Sequence, residues 1–243
     1  SIMRTIALPS MLEILGRNNA YHNKAAKLYE IAKIYLPVES QPLPEEPKML
    51  VFGSYGEKET FFKLKGELEA VFAGLRMKKA SYTAEKNNPS YHPGRCASIS
   101  IDGVEIGVMG QVHPLVAKNY GIDSEVYCAE LSFTKMLGLR LPEPTFAPLP
   151  KYPAVSRDLA LICDEALTVA QVEDVISASA GKLLRKIQLF DIYRGVGVPE
   201  GKKSMAFSLE LRADDRTLTD SDSEKVVSNV LAALKEKLNA TLR

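Results

Sequence analysis

A proline-rich segment divides this chain, and that division constrains the possible folds more than any other feature. Prolines occupy positions 142, 144, 148, 150 and 153. Proline lacks a backbone N–H and restricts the residue before it, so neither a helix nor a central strand continues through such a segment. The apolar stretch Val155–Cys163 follows at once and predicts a strand. We therefore predict two domains, residues 1–146 and residues 147–243.

Composition limits the classes of protein to consider. Hydrophobic residues make up 46% of the chain, which is typical of a globular protein with a buried core. The 31 basic and 30 acidic residues leave a formal charge of +1, so any nucleic-acid contact must come from a local basic patch. No apolar run is long enough to cross a membrane, and we expect neither a membrane nor DNA as a partner.

The cysteines indicate a cellular compartment, and the first residues suggest a longer polypeptide. Cys96, Cys128 and Cys163 are odd in number and widely spaced, which favours a reducing, cytoplasmic compartment. The chain begins with Ser1, which is typical of a cloning scar, and has no leading methionine. We expect a fragment of a longer polypeptide.

The first domain is predicted to be α+β, with helices interrupting a mainly antiparallel sheet. Apolar residues at helical spacing predict helices over 8–19 and 61–75 and shorter helices near 114–120 and 133–139. The predicted strands cover 27–36, 49–55, 78–84, 96–101, 104–112 and 126–131, with a loop over 38–47. For 27–36 a helix is the alternative. Asp102-Gly103 predicts a hairpin turn, and Gly107 and Gly110 indicate close backbone approach or a bulge.

The second domain is predicted to have the order βαββαβ, which is the ferredoxin-like split motif. Its strands are expected over 155–163, 184–194, 203–212 and 240–242. Capping boxes at Thr168–Gln171 and Ser221–Glu224 predict the starts of the two helices. Four antiparallel strands covered by two helices leave one face of the sheet open.

Alternation within residues 203–212 identifies the residues of that open face. Met205, Phe207, Leu209 and Leu211 are expected to face the helices, which leaves Ser204, Ala206, Ser208 and Glu210 on the other side. RNA-binding sheets of this topology receive unstacked bases on such a surface. Basic side chains surround it and are candidates for phosphate contacts: Arg157, Lys182, Arg185, Lys186, Arg194, Lys202 and Lys203. The alternative is that these are ordinary solvated side chains.

Several segments of the second domain carry a resemblance to a known family. They are Tyr152-Pro153, Ser156–Leu161, Phe190–Gly195, Pro199–Ala206 and Arg216–Asp220. In order and spacing they resemble the ferredoxin-fold anticodon-binding domain that ends the β chain of bacterial phenylalanyl-tRNA synthetases. Residues 1–145 resemble the later part of the catalytic-like domain of the same chain, through Met3–Ser10, Leu28–Ile31, His92–Arg95 and Gly107–Pro114. That likeness implies a partial class II synthetase fold, an antiparallel sheet with helices.

The resemblance implies a function in tRNA recognition. The expected partners are phenylalanine tRNA and the synthetase α chain, in an α2β2 heterotetramer. From fold position, Tyr193 and Arg157 are predicted at the base-side surface, and Arg194, Lys202 and Lys203 at the RNA backbone. The predicted RNA-binding set also includes Ser204, Ala206 and Ser208. ATP and Mg²⁺ are implied for the full enzyme, and no cofactor for this fragment.

Two departures from the family pattern predict that this fragment alone is inactive. Adenylate formation needs cationic side chains around the ATP phosphates. Leu28 stands where the family has an arginine two residues before an acid, here Glu30. The segment Cys128–Leu139 lacks the family's helix-opening glycines and its arginine, and the next arginine is Arg140. We therefore predict a pseudo-catalytic domain that packs on the α chain.

Other functions remain open from the sequence. His92, Cys96, His113 and Cys128 could form a metal site, although their spacing matches no common zinc pattern and the histidines precede prolines in predicted turns. A nucleophilic Cys163 would lack a histidine in its own domain, so we predict core packing for it. Ferredoxin-like domains also serve as regulatory or dimerisation modules that bind small molecules. A third alternative is a free-standing ATP-using enzyme.

Overall fold

The computed structural model describes residues 2–39, 41–146 and 148–243. Ser1, Ser40 of the predicted loop over 38–47, and Ala147, the first residue of the predicted second domain, lie outside the described residues. The chain separates into two compact units, Ser1–Pro144 and Thr145–Arg243. Each unit has its own sheet.

Unit 1 is built on a six-stranded sheet in which every pairing is antiparallel. Its strands are Ala26–Lys33 (β1), Lys48–Tyr55 (β2), Ala80–Ala84 (β3), Tyr91–Ile101 (β4), Val104–Val112 (β5) and Val126–Ser132 (β6). Its helices are Leu8–Ala20 (α1), Phe61–Gly74 (α2), Pro114–Asn119 (α3) and Phe133–Gly138 (α4). The strand order is β1-β2-β6-β5-β4-β3, so the sheet has β1 and β3 at its edges.

Both faces of this sheet are covered by helices, and each face has its own core. Met11, Leu12 and Leu15 of α1 pack with Val51 and Cys128 on one face. Leu64, Leu68 and Phe72 of α2 pack on the other face, together with Met136 of α4 and sheet residues that include Leu50, Ile99 and Leu131. Neighbouring residues of β2, such as Leu50 and Val51, are therefore both buried, each against a different helix layer.

Two glycines allow the central strands of unit 1 to approach closely. A Cβ on Gly107 would lie 2.1 Å from the carbonyl oxygen of Glu130, and a Cβ on Gly110 would lie 2.5 Å from that of Arg95. The β4–β5 pair also has register shifts near these positions. Close backbone approach or a bulge was expected here, and the structure has both features. The prediction of a turn where His92 precedes Pro93 was wrong, because both residues lie in β4 at its irregularity, where Pro93 is tolerated.

Unit 2 has the predicted ferredoxin-like fold. Its strands are Val155–Asp164 (β7), Leu184–Tyr193 (β8), Lys202–Leu211 (β9) and Thr241–Leu242 (β10), and its helices are Val169–Ala180 (α5) and Asp220–Leu238 (α6). The order β10-β7-β9-β8 is antiparallel throughout. Both helices pack on one face, over a core that includes Leu161, Met205, Phe207, Ile176, Val230 and Leu234.

The helices of unit 2 begin at capping boxes, one of which was predicted at the wrong residues. Thr168 and Gln171 cap α5 as expected. The second box is formed by Thr219 and Asp222, rather than Ser221 and Glu224, and Ser221 lies inside α6. Thr219 has extended backbone dihedrals, as an N-cap requires, and its hydroxyl accepts a hydrogen bond from the Asp222 N–H.

Candidate nucleic-acid interface

The helix-free face of the four-stranded sheet, here called the open face, is the candidate site of unit 2. It is formed by the side chains that alternate with the core residues of each strand. These are Ser156, Asp158, Ala160, Ile162 and Asp164 of β7, Lys202, Ser204, Ala206, Ser208 and Glu210 of β9, and Lys186, Gln188, Asp191 and Tyr193 of β8. Most of them are exposed or half-buried.

The middle strand of the open face carries small side chains, as the alternation predicted. Met205, Phe207, Leu209 and Leu211 are buried against the helices. Ala206 and Ser208 are half-buried, and Ser204 is buried. Because the open-face side chains of β9 are small, a planar group has room to lie on the sheet there. That these residues contact RNA stays a prediction.

Tyr193 lies at one end of the open face, next to a residue that sequence reasoning missed. It stands opposite Ser204 in the strand register. Its hydroxyl lies 3.4 Å from the Val196 carbonyl oxygen, to which it donates a hydrogen bond. The guanidinium of Arg243 is 5.1 Å from the centre of the Tyr193 ring, a cation–π contact. Arg243 also donates its backbone N–H to Ala160 at the far strand, so its side chain reaches across the sheet.

Arg157 does not lie on the open face, and its predicted place at the base-side surface was wrong. On β7 it alternates in phase with Leu159 and Leu161, which are buried under the helices. Its guanidinium donates to Asp220 Oδ1 at 2.6 Å and to Ser223 Oγ at 2.9 Å, both at the start of α6. Arg157 therefore ties the sheet to a helix.

The cations predicted to contact the RNA backbone already have protein partners. Arg194 binds both carboxylate oxygens of Glu165, with its Nη2 at 2.6 Å from Oε1, and these hydrogen bonds lower the pKa of Glu165. Lys202 lies on the open face, 3.1 Å from the carboxylate of Asp164. Lys203 has the opposite orientation, in phase with Met205, and is buried with its Nζ donating to the Glu165 carbonyl at 2.8 Å. Lys203 thus fits a structural role better than a phosphate contact.

At the other end of the open face the side chains form a polar cavity of about 250 Å³. It is lined by Ala154, Ser156, Lys186, Gln188, Ser208 and Glu210. The hydroxyls of Ser156 and Ser208 are joined at 3.0 Å. Sequence reasoning did not single out Gln188 or Ser156. The alternation of Lys186 and Gln188 with the apolar Ile187 and Leu189 was the available signal, although a register shift beside Lys186 made the phase of β8 uncertain.

Two cavities of unit 1 do not fit ATP phosphates. One, of about 600 Å³, is lined by Phe61, Phe62 and Tyr127, and its cation Arg95 is bonded to Glu125 at 2.8 Å. Another, of about 490 Å³, is lined by the carboxylates of Glu85, Glu105 and Glu130 without a basic side chain among the described residues. Both settings would repel or fail to neutralise concentrated negative charge.

The two positions at which the family has an arginine are Leu28 and the segment before Arg140. Neither places a free cation for ATP in this structure. Leu28 packs in the α1-side core. The cation beside Glu30 is Arg4, 3.3 Å away, whose other nitrogens donate to Ser10 and to the Lys33 carbonyl. Arg140 follows α4 and lies 4.0 Å from Glu143 rather than at the N-terminus of the helix.

The other candidate chemistries find no support among the described residues. No group of at least three His, Cys, Asp or Glu side chains converges there in a way that could hold a metal. His92 and His113 each accept a hydrogen bond from a nearby backbone N–H. The three cysteines are free and buried, and burial raises the pKa of Cys163 and brings that of Cys96 to about 11. They are strand-core residues in their thiol form. None of the helices among the described residues is both long enough and apolar enough to cross a bilayer.

Comparison with protein-family models assigns both parts of the chain. Residues 1–133 match the model described as "Phenylalanyl tRNA synthetase beta chain CLM domain". Residues 150–243 match the "Ferredoxin-fold anticodon binding domain". The resemblance inferred from the sequence motifs is confirmed for both segments.

Curated relatives match along the whole chain. The phenylalanine–tRNA ligase β subunit of Clostridium tetani is 41% identical over 244 aligned positions, which cover 100% of this chain and 31% of the relative. That of Clostridium acetobutylicum is 40% identical, with the same coverage. That of Symbiobacterium thermophilum is 37% identical and is covered to 28% of its length. The chain thus spans about a third of the length of these relatives.

Proposed function

Because the chain belongs to the family of phenylalanyl-tRNA synthetase β chains, we propose that it is the non-catalytic scaffold and anticodon reader of a phenylalanine–tRNA ligase. Unit 2 reads the anticodon loop of phenylalanine tRNA on its open face. Unit 1 packs on the catalytic α chain. The division into domains at residues 146 and 147 is part of this proposal, and the compact units Ser1–Pro144 and Thr145–Arg243 support it.

The observation that carries the proposal is the open face itself. A four-stranded sheet with small side chains in its middle strand, an aromatic ring at one end and a polar cavity at the other suits unstacked bases. Tyr193 supplies a stacking surface. Arg194 and Lys202 form exposed ion pairs in which an RNA phosphate can replace the carboxylate at little cost. The match of residues 150–243 to an anticodon-binding domain supports the same assignment.

The scaffold role of unit 1 rests on apolar side chains left on its surface. On the edge strand β1, Tyr29 and Ile31 are 72% and 51% exposed, and the Tyr29 ring lies 6.3 Å from that of Phe52. Apolar groups adjoining one another on an edge strand favour a protein partner. The α chain is that partner in this proposal, in an α2β2 assembly located in the cytoplasm. ATP and Mg²⁺ serve the complete enzyme at a site on the α chain.

A salt-titrated binding assay of the 243-residue chain tests the anticodon reader. The ligand is the anticodon stem-loop of phenylalanine tRNA, and a stem-loop with a scrambled anticodon is its control. We expect the matching loop to bind more tightly. Tyr193→Ala should weaken binding by about 1–3 kcal/mol through loss of stacking.

Charge variants complete the test. Arg194→Ala should lower the slope of log K against log salt by about 0.7, the value for one phosphate of a single strand. Lys237→Ala, an exposed lysine on α6, should leave the slope unchanged. Equal binding of the two loops would refute anticodon reading by this chain.

A further inference from the structure

The polar cavity at the end of the open face away from Tyr193 differs from its surroundings in its uncommitted polar groups. Lys186 stands opposite Glu210 in the strand register, yet among the described residues no ion pair joins them. Gln188 is exposed and likewise has no hydrogen-bond partner in the described part of the chain. The cations at the Tyr193 end, by contrast, are bound to Glu165 and Asp164. The polar atoms of Lys186, Gln188 and Glu210 are therefore accessible to a ligand.

The side chains around this cavity provide hydrogen-bond donors, acceptors and one positive charge. The planar amide of Gln188 offers an NH₂ group as donor and a carbonyl oxygen as acceptor, and Glu210 offers acceptors only. The hydroxyls of Ser156 and Ser208 bond to one another across the strands, so the polar atoms between β7 and β9 are partly satisfied. Lys186 supplies a flexible positive charge at the exposed rim.

We infer that this cavity, bounded by Gln188, Glu210 and Lys186, is a base-specificity subsite that receives one unstacked nucleobase carrying an exocyclic amino group. The amino group donates to the Glu210 carboxylate, and the adjoining ring nitrogen accepts from the Gln188 amide. Lys186 contacts the phosphate of the same nucleotide. In the same orientation, uracil would place its O4 carbonyl oxygen against the Glu210 carboxylate, acceptor against acceptor, and its N3–H against the Gln188 NH₂ group, donor against donor. This inference rests on the proposed function, since it assumes that single-stranded RNA lies on the open face.

Base substitution in the RNA tests the subsite. Each loop position of the anticodon stem-loop is replaced in turn by uracil and by an amino-bearing base, and binding to the 243-residue chain is measured. We expect one position at which the amino-bearing base binds on the order of tenfold more tightly than uracil. Gln188→Ala should abolish that preference at the same position and leave the other positions unchanged.

Glu210→Gln gives a sharper result, because an amide can donate to a carbonyl where a carboxylate cannot. This variant should shift the preference at that position towards uracil, an effect that a general loss of folding would not produce. Glu236→Gln, on the exposed side of α6, is the matched control and should behave as the unmodified chain. Lys186→Ala should lower the salt slope by about 0.7 and keep the base preference.

The outcomes separate the inference from the proposed function. Preference for the matching loop that survives both Gln188→Ala and Glu210→Gln at every position would overturn the subsite and leave anticodon reading intact. Absence of any preference for the matching loop would overturn both. A preference at one position that Gln188→Ala removes and Glu210→Gln redirects would support the subsite.

Discussion

The two sheets of this protein differ in how many of their faces are covered by helices, and the functions proposed for the two units follow that difference. The six-stranded sheet of unit 1 has a helix layer and an apolar core on each face. The four-stranded sheet of unit 2 has its helices and core on one face. Its other face is polar, with small side chains in the middle strand.

Covering both faces has a chemical consequence for unit 1. Its sheet is committed to packing. One of its cavities holds the pair of Arg95 with Glu125, and another is lined by acidic side chains. Its exposed apolar residues favour a protein partner. Unit 2 needs only one face for stability, so the second is free to bind a ligand. Under the proposed function, the same backbone periodicity serves a scaffold in one unit and a recognition surface in the other.

The difference between a sheet covered on both faces and one covered on a single face should show most strongly when adjacent residues of one strand in each sheet are substituted. In β9, Phe207→Ala should cost about 3–5 kcal/mol of unfolding free energy, whereas Ser208→Ala should change it by roughly 0.5 kcal/mol or less. In β2, both neighbours should be costly: Leu50→Ala by about 2–5 kcal/mol, and Val51→Ala by at least ~1.5 kcal/mol for two buried methyl groups. Hydrogen exchange by mass spectrometry, read separately for the two units, measures these costs. A costly Ser208→Ala would contradict an open face.

Substitutions of the adjacent Lys202 and Lys203 should differ in their cost to stability, because the two side chains lie on opposite faces of the sheet. Lys203→Ala removes a buried stem and the hydrogen bond to the Glu165 carbonyl, so we expect a loss of about 1–3 kcal/mol in stability. Lys202→Ala breaks an exposed ion pair and should cost about 0–1 kcal/mol. Urea denaturation measures both, and Lys203→Met, which keeps the apolar stem, should recover part of the loss. Equal costs for the two alanine variants would argue against opposite orientations.

The smallest expected effect is a difference in pH dependence. Burial raises the pKa of Glu130 in unit 1 above its ordinary value of 4.5, so its contribution to stability falls as the pH rises through that value towards the folded pKa. Hydrogen bonds from Thr219 lower the pKa of Asp222 in unit 2, so its contribution is present above about 3.8 and is lost as the pH falls through the folded pKa. Urea denaturation across this pH range should show that Glu130→Gln removes the first trend and Asp222→Asn the second. Identical profiles for the two variants would contradict the opposite signs.

Much of the fold could be predicted because helices and strands have different apolar periods. The pattern of Phe61–Gly74 and the alternation in Lys202–Leu211 depend only on local backbone geometry. Two misplaced site residues could have been corrected by the same rule. Arg157 is in phase with Leu159, and Lys203 is in phase with Met205, so both belong to the helix-covered side.

The remaining features of the candidate site required the tertiary structure. The cavity at Gln188 and Glu210 depends on the pairing of β8 with β9 and on a register shift beside Lys186. The contact of Arg243 with Tyr193 depends on a chain segment that joins the opposite edge of the sheet. No short-range pattern records such pairings, because they are set by strand order and not by period.

The sequence by itself therefore determined the periods of the elements and the small residues of the open face. The tertiary structure decided which charged side chains are available. Arg194 meets Glu165 and Arg157 meets Asp220 only after distant segments are brought together, whereas Lys186 meets no partner among the described residues. The physical reason is that side-chain direction follows from local backbone geometry, but an ion pair requires two charges within about 4 Å of each other.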